Sequence, residues 1–210
     1  MLLVVVAVEA EARALPDMDG VRVVVGGIGR TNAAAAVTQG LLEHKACTAV
    51  LSVGVCGVLP GCELSIGDVV HGTAAVYAEE GIDTPDGFVD VAGMELTLGS
   101  DDGNVFRPDP DLVAAASGVT IGVRIATVAT CSGTDEQAMV IAQRTGAAVE
   151  AMEGAAVLHA ARRLGVGAME VRAVSNTTGD RDRQQWDLPS ALTGLGRIVP
   201  AICATIGPSA

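Results

Sequence analysis

The segment TAVLSVGVCGVLPG, residues 48–61, has no polar face from Thr48 to Gly54. That suits a strand buried on both sides, not one with a face in water. Glycines then fall at positions 54, 57 and 61. Glycine after an all-apolar strand lets backbone approach something closely, either a packed helix or a bound molecule. A strand covered on both sides also requires helices on both faces of its sheet.

The same grammar extends outward. LLVVVAV (2–8) reads as a strand and EAEARAL as a short helix after it. VRVVV (21–25) is a second strand, and GGIGR turns into the helix TNAAAAVTQGLLEH, with Thr31 or Asn32 as the expected N-cap. IGDVVHGTAAVYA (66–78) and VTIGVRIATVAT (119–130) are strand-like. Residues 79–110, polar and rich in Gly, Pro and Asp, read as a long loop or peripheral excursion. TDEQAMVIAQRTG and EGAAVLHAARRLG are helices closed by glycine. AMEVRAVS (168–175) is a strand, and 188–206 a terminal helix interrupted by Pro200. The expectation is one α/β domain over residues 1–210, with a mostly parallel or mixed sheet between helices.

Half of the residues are hydrophobic, yet only two Phe, one Tyr and one Trp are present, so the core must be aliphatic. The net charge of −12 disfavours nucleic acid and anionic membrane as partners, because counterion release needs clustered cations. Nothing basic precedes the first apolar run and glutamates follow it, unlike a secretory signal. The longest uncharged stretch, Ala46 to Cys62, is broken by Gly54, Gly57, Pro60 and Gly61 and makes a poor membrane span. A soluble cytoplasmic protein is expected. Five cysteines without a CxxC pair read as reduced core thiols.

In such folds ligands sit beyond the carboxyl ends of strands. Glu9 and Glu11 follow the first strand, as helix-start acids or as a catalytic base. GGIGRTNAA offers backbone amides at a helix start, or simply a tight turn, and is not the dinucleotide fingerprint. In VEAMEGAAV, Glu150 and Glu153 bracket Met152, a thioether beside an acid that suits a sugar face and its hydroxyls. Glu170 and Arg172 share one strand face, as a buried ion pair or as a device orienting Asn176. The most charged run, SNTTGDRDRQQWDLP (175–189), opens directly from a buried strand. Either it forms the rim of a site, or its aspartates and arginines pair among themselves in a solvated turn with Trp186 on the sheet edge.

Taken in order, AVEAEARAL, GGIGRTNAA, SVGVCGVL with IGDVV, AMEGAA and VRAVSN resemble the nucleoside phosphorylase and nucleosidase superfamily. AMEGAA and SNTTGDRDRQQWDLP bring the chain nearest to its futalosine hydrolase family. The resemblance implies a three-layer αβα sandwich around a central mixed β-sheet. It also implies hydrolysis of the N-glycosidic bond of futalosine, an inosine-like nucleoside with a carboxyphenyl ketone on its 5′ side, releasing hypoxanthine on a route to menaquinone. The family's water-activating glutamate falls on Glu11 and its ribose-binding pair on Met152 and Glu153. The residue facing the purine N7 falls on Asn176. Backbone contacts to the purine fall within Thr130, Cys131, Ser132 and Gly133, and the glycine-rich segment by the ribose on Val55, Cys56 and Gly57. Arg181 or Arg183 is the candidate partner for the substrate carboxylate, since arginine forks onto carboxylates. Neither metal nor cofactor is called for. The implied partners are a purine nucleoside, water and further copies of the chain, as a dimer or tetramer in which a neighbour often closes the site.

Two departures separate the chain from methylthioadenosine/adenosylhomocysteine nucleosidases. Those relatives carry Glu-Met-Glu and an Asp at N7, where this chain has Ala151-Met152-Glu153 and Asn176. They also carry a phenylalanine against the purine, where this chain has the polar residues Thr134 to Gln137. An Asn offers both an NH₂ and a C=O, so it can donate to O6 of an oxopurine while accepting from a protonated N7. An Asp would meet O6 with like polarity. Three other readings remain: a methylthioadenosine/adenosylhomocysteine nucleosidase, a purine nucleoside phosphorylase using Arg13 and Arg30 for phosphate, and a non-catalytic nucleoside-binding protein.

Overall fold

The computed structural model describes residues 1–99 and 102–207. Strand β1 (Leu2–Val6), helix α1 (Glu9–Ala14), β2 (Val21–Val25) and α2 (Arg30–Glu43) open the chain. They are followed by β3 (Ala49–Val58), β4 (Val69–Tyr77), β5 (Gly81–Thr84), β6 (Gly87–Asp90) and β7 (Val105–Phe106). Then come α3 (Pro110–Ser117), β8 (Ile121–Thr127), α4 (Asp135–Thr145), β9 (Val149–Ala151), α5 (Gly154–Arg163), β10 (Gly167–Thr177) and α6 (Leu188–Ile206). The main sheet has eight strands in the order β10-β4-β8-β9-β3-β1-β2, with β7 added on β4. Parallel and antiparallel pairs mix, as expected.

β3 explains how the sheet bends into a site. It runs four residues past the expected end, straight through Gly54 and Gly57. Its first half pairs with β1 on one side while its whole length pairs with β10 on the other. Beyond β1, Gly57 and Val58 pair with Glu150 and Val149 of β9. Since β10 also pairs with β4, the strands β3, β10, β4, β8 and β9 close on themselves. The glycines are therefore inside a strand at the seam of closure, not in a loop after it.

Alternation along the strands fills two layers. Leu2, Val4, Val6, Leu51, Val53, Met169 and Val171 point at Leu195, Val199 and Ile202 of α6. Leu3, Val5 and Val50 point the other way, at the alanine-rich α2 and α5. Small side chains let these helices lie close, as at Gly40, where a Cβ would stand 2.9 Å from Leu3 Cδ2. That is how a core with so few aromatics reaches full packing.

Several expectations need correction. α2 starts at Arg30 with Gly29 as its N-cap, not Thr31 or Asn32: the φ of 92° there suits glycine, and the Gly29 amide bonds to Glu153. The excursion 79–110 holds a hairpin, β5–β6, and β7 joins the main sheet. α3 was not foreseen, although Asp109-Pro110 is a capping signal: the Asp109 carboxylate accepts from the amides of Asp111 and Leu112. α6 is not interrupted: it continues through Pro200, held by its buried stripe. By length and composition α6 is apolar enough to cross a membrane, but that stripe is core. Cys131 is exposed, so not every thiol is in the core.

Candidate functional site

Glu11 is 3 % exposed although it sits in the first turn of a short helix, whereas Glu9 is on the surface paired with Arg13. Its Oε2 accepts from the amides of Ala7 (2.9 Å) and Val8 (3.2 Å), and its Oε1 from the amide of Val55 (3.0 Å). Three amides fix the carboxylate between the end of β1 and the second half of β3. Gly54 makes this possible, because a Cβ there would strike both Glu11 Oε1 and the Arg172 guanidinium.

Arg172 is 1 % exposed and is the hub of the buried charge. Its Nε donates to Glu170 Oε1 at 2.8 Å, and its Nη2 reaches Glu153 Oε2 at 3.2 Å and Ser52 Oγ at 3.2 Å. Burial works against the guanidinium charge, but Glu170, Glu153 and Glu11 more than offset it and raise its pKa. The Glu170 carboxyl is pushed up by burial against the pull of Arg172. It fits only because the facing residue of α5 is Gly154, where any Cβ would overlap it. Glu153 Oε1 also accepts from the amide of Gly29 at 2.9 Å, tying the GGIGR turn to the AMEGAA junction. Arg172 thus orients Glu153 and makes no contact with Asn176, contrary to the sharper expectation for the Glu170–Arg172 pair.

Asn176 lies within β10, at a register shift between Val174 and Asn176 against β3. One extra residue bulges the strand, and a bulge re-aims side chains. Consecutive residues Ser175 and Asn176 consequently line the same cavity. Ser175 Oγ lies 2.7 Å from Asn176 Oδ1, and Asn176 Nδ2 donates to the carbonyl of Thr177 at 2.9 Å.

The charged run then folds back on the strand end. Thr177 N donates to Gln185 O, and Asp187 N to Ser175 O. Asp135 and Asp180 exchange backbone-to-carboxylate hydrogen bonds of 3.0 Å, and the Arg183 guanidinium pairs with both. These contacts hold the Asp180 carboxyl below the usual aspartate range. Gln184 is the fastener that the sequence reading overlooked: its Nε2 donates to Ser132 O and Gly179 O.

The TCSG loop is held by Glu150, whose two oxygens accept from the amide (2.8 Å) and hydroxyl (2.6 Å) of Ser132. Burial raises the Glu150 carboxyl, while Ser132 counteracts it. Although Cys131 is exposed as a residue, partial desolvation of its thiol by the loop, with the Glu150, Glu153 and Glu79 carboxylates nearby, lifts it to about 11, far from a nucleophilic thiolate.

All of this converges on one cavity of ≈ 580 Å³. Glu11, Val55, Cys56 and Gly57 line it from β3 and α1; Cys131, Ser132 and Gly133 from the loop after β8. Met152 and Glu153 line it from the start of α5, Asn176 from β10 and Arg181 from the rim. Two candidates do not. Thr130 is absent from the lining and its amide donates to Glu79 Oε1 at 3.4 Å, and Arg183 is consumed by its two aspartates. Thr134 to Gln137 begin α4 and lie outside the cavity, where Thr134 caps the helix.

Comparison with known proteins gives this geometry a family. Residues 17–203 match the model of the phosphorylase superfamily. The futalosine hydrolase of Streptomyces coelicolor is 34 % identical over 88 % of this chain and 80 % of its own length. That of Thermus thermophilus is 36 % identical over 86 % and 80 %. The chain belongs to the futalosine hydrolase family. In three dimensions it is similar to the methylthioadenosine/adenosylhomocysteine nucleosidase of Colwellia psychrerythraea, solved with adenine, at a TM-score of 0.81 and 22 % identity over 100 % of this chain and 96 % of that one. It is also similar to a futalosine hydrolase mutant of Helicobacter pylori, at 0.78 and 18 % identity over 96 % and 97 %. Both bear out the three-layer sandwich with its mixed sheet.

Proposed function

We propose that the chain hydrolyses the N-glycosidic bond of futalosine, releasing hypoxanthine and dehypoxanthine futalosine for menaquinone biosynthesis. The observation that carries this reading is the convergence of two buried carboxylates, Glu11 and Glu153, with the amide of Asn176 in one cavity. Breaking this bond builds positive charge on the ribose and negative charge on the purine, and both ends need stabilising.

In this reading Glu11 takes a proton from water and sets the water against C1′. Of its four lone-pair sites the three amide contacts leave one, on Oε1, for that proton. Glu153, aligned by Arg172 and Gly29, accepts the ribose hydroxyls, and Met152 packs against the sugar. As the C1′–N9 bond breaks, the departing purine takes a proton at N7 from solvent water; Asn176 accepts that N7–H on Oδ1 and donates its second amide hydrogen to O6. The register of that amide supports an oxopurine: Nδ2 is the atom set against the Thr177 carbonyl, where a second carboxylate oxygen would be repelled.

A phosphorylase would need a cationic cradle for phosphate. Arg13 pairs with Glu9, and Arg30 with Glu79 and Glu80, and neither lines the cavity. Arg172 is balanced by Glu170 and Glu153. This supports water as the acceptor. The reading extends to a cytoplasmic homo-oligomer, which light scattering of the purified chain tests.

The deciding experiment is a phosphate-free incubation with futalosine and, separately, with methylthioadenosine, followed by chromatography of the released base. Hypoxanthine from futalosine alone is the expected result. Adenine from methylthioadenosine with futalosine untouched overturns the substrate assignment and keeps the Glu11 chemistry.

A further inference from the structure

Two arginines stand in the 3-10 turn Arg181–Arg183, and the structure gives them different work. Arg183 is committed to Asp135 and Asp180. Arg181 has no carboxylate within ion-pair reach among the described residues. It lies over the indole of Trp186 at 4.8 Å and donates through Nη1 to Gln184 Oε1 at 2.9 Å. Gln184 Oε1 also accepts from Trp186 Nε1 at 3.1 Å, while its Nε2 is fixed to two carbonyls. One glutamine therefore sets both the guanidinium and the indole.

The setting is wrong for an idle surface cation. In a chain of net charge −12, the cavity carries the carboxylates of Glu11, Glu150 and Glu153, and its other cation, Arg172, is balanced. Beside Arg181 the mouth presents Ile28, Trp186 and Leu188, which are 56 %, 52 % and 40 % exposed. Asn176 and Ser132, at the buried end, are 8 % and 2 % exposed. The base belongs at the buried end, so the group that reaches the mouth is the one distal to the base. An apolar mouth with one unpaired guanidinium recognises an aromatic ring that carries an anion: apolar surface takes the ring and the fork takes the charge.

We propose that Arg181, seated on Trp186 by Gln184, is the receptor for an aryl carboxylate on the 5′ side of the substrate, and that it sets the preference for anionic over neutral 5′ groups. This rests on the nucleosidase reading above. The test is Arg181→Gln, assayed with futalosine and with its carboxylate methyl ester. KM for futalosine is expected to rise about 10- to 100-fold with kcat little changed, the loss of a charge-assisted fork, while KM for the ester stays as in wild type. Arg181→Lys recovers part of the loss. An unchanged KM for futalosine, or equal loss for acid and ester, overturns the proposal. If wild type does not turn over futalosine, the hydrolase reading fails by itself. The receptor is then judged by binding: Trp186 is the only Trp, so its emission reports the mouth. Saturable quenching by acetylbenzoate that weakens in Arg181→Gln upholds the receptor, and identical titrations in the two proteins sink it.

Discussion

Two arginines, one lining the cavity and one behind its rim, each hold two carboxylates in opposite surroundings. At its floor Arg172 holds Glu170 and Glu153 with its side chain 2 % exposed. Behind its rim Arg183 holds Asp135 and Asp180 with its side chain 68 % exposed. In low dielectric each charge depends on its partners, and removing one leaves the others stranded. In water the same pairs are screened and contribute little to stability. The floor cluster should therefore carry stability while it sets Glu153 for the proposed site, whereas the rim cluster shapes a loop. An arginine between two carboxylates stands in both, so the difference lies in burial.

Substitution tests that contrast from its strong end. Arg172→Met strands Glu170, Glu153 and Glu11, and should lower the unfolding free energy by about 3–5 kcal/mol in urea titration. Stability equal to wild type would mean that the floor cluster is not coupled as its contacts indicate. Glu11→Gln keeps the shape but loses the base, so kcat should fall by roughly 10²–10⁴-fold with the circular dichroism spectrum unchanged. Turnover at the wild-type rate would remove Glu11 from the mechanism.

Asn176→Asp sharpens the middle of the range. The new oxygen would face the Thr177 carbonyl and meet O6 with like polarity, so the ratio of inosine to adenosine cleavage should move toward adenosine. An unchanged ratio would undo the role given to this amide. Arg183→Ala should leave the thermal midpoint near that of wild type while increasing hydrogen exchange in residues 178–187. A large loss of stability would show that the rim is not the weak partner in the comparison.

The smallest effect is on pH. Burial holds His71 below its ordinary 6.5, with Nδ1 on the Thr120 hydroxyl, and His159 is lowered in the same way. The native state therefore resists protonation that the unfolded chain accepts, so this stability is present above 6.5 and is lost as pH falls below it. Glu150 and Glu170, raised by burial, act in the opposite sense nearer their ordinary 4.5. His71→Gln should flatten the fall in thermal midpoint between about pH 7.5 and about pH 5.5. An identical slope in the variant would assign the fall to other groups.

Much of the site was legible because local rules act within a few residues. The order of strands and helices follows from apolar runs and alanine-rich segments, and Thr134 and Gly146 delimit α4 as capping residues should. The strand-end motifs brought forward Glu9 with Glu11, Glu150 with Met152 and Glu153, and Asn176, and the family resemblance chose Glu11, Met152, Glu153 and Asn176 among them. The parts misjudged are those in which a neighbour outweighs local preference. Gly54 and Gly57 read as the end of a strand, yet they continue it because β10 pairs with both and β9 adds a second side at Gly57. Pro200 reads as a break, yet the buried stripe of α6 carries the helix past the missing N–H. Thr130 was grouped with its loop, but the cavity lining begins at Cys131, and the Thr130 amide bonds instead to Glu79.

The sequence by itself determined the α/β class, the aliphatic core, the acidic surface and the residue types at each strand end, since composition and periodicity fix these. Only the tertiary structure decided how those ends converge. It closed the sheet through β3 and bulged β10 so that Ser175 and Asn176 share one cavity. It also divided Arg181 from Arg183 by placing Asp135, far off in sequence, beside only one of them. The physical reason is that burial and long-range pairing set the worth of a charge or an amide, and neither can be read from a residue's neighbours along the chain.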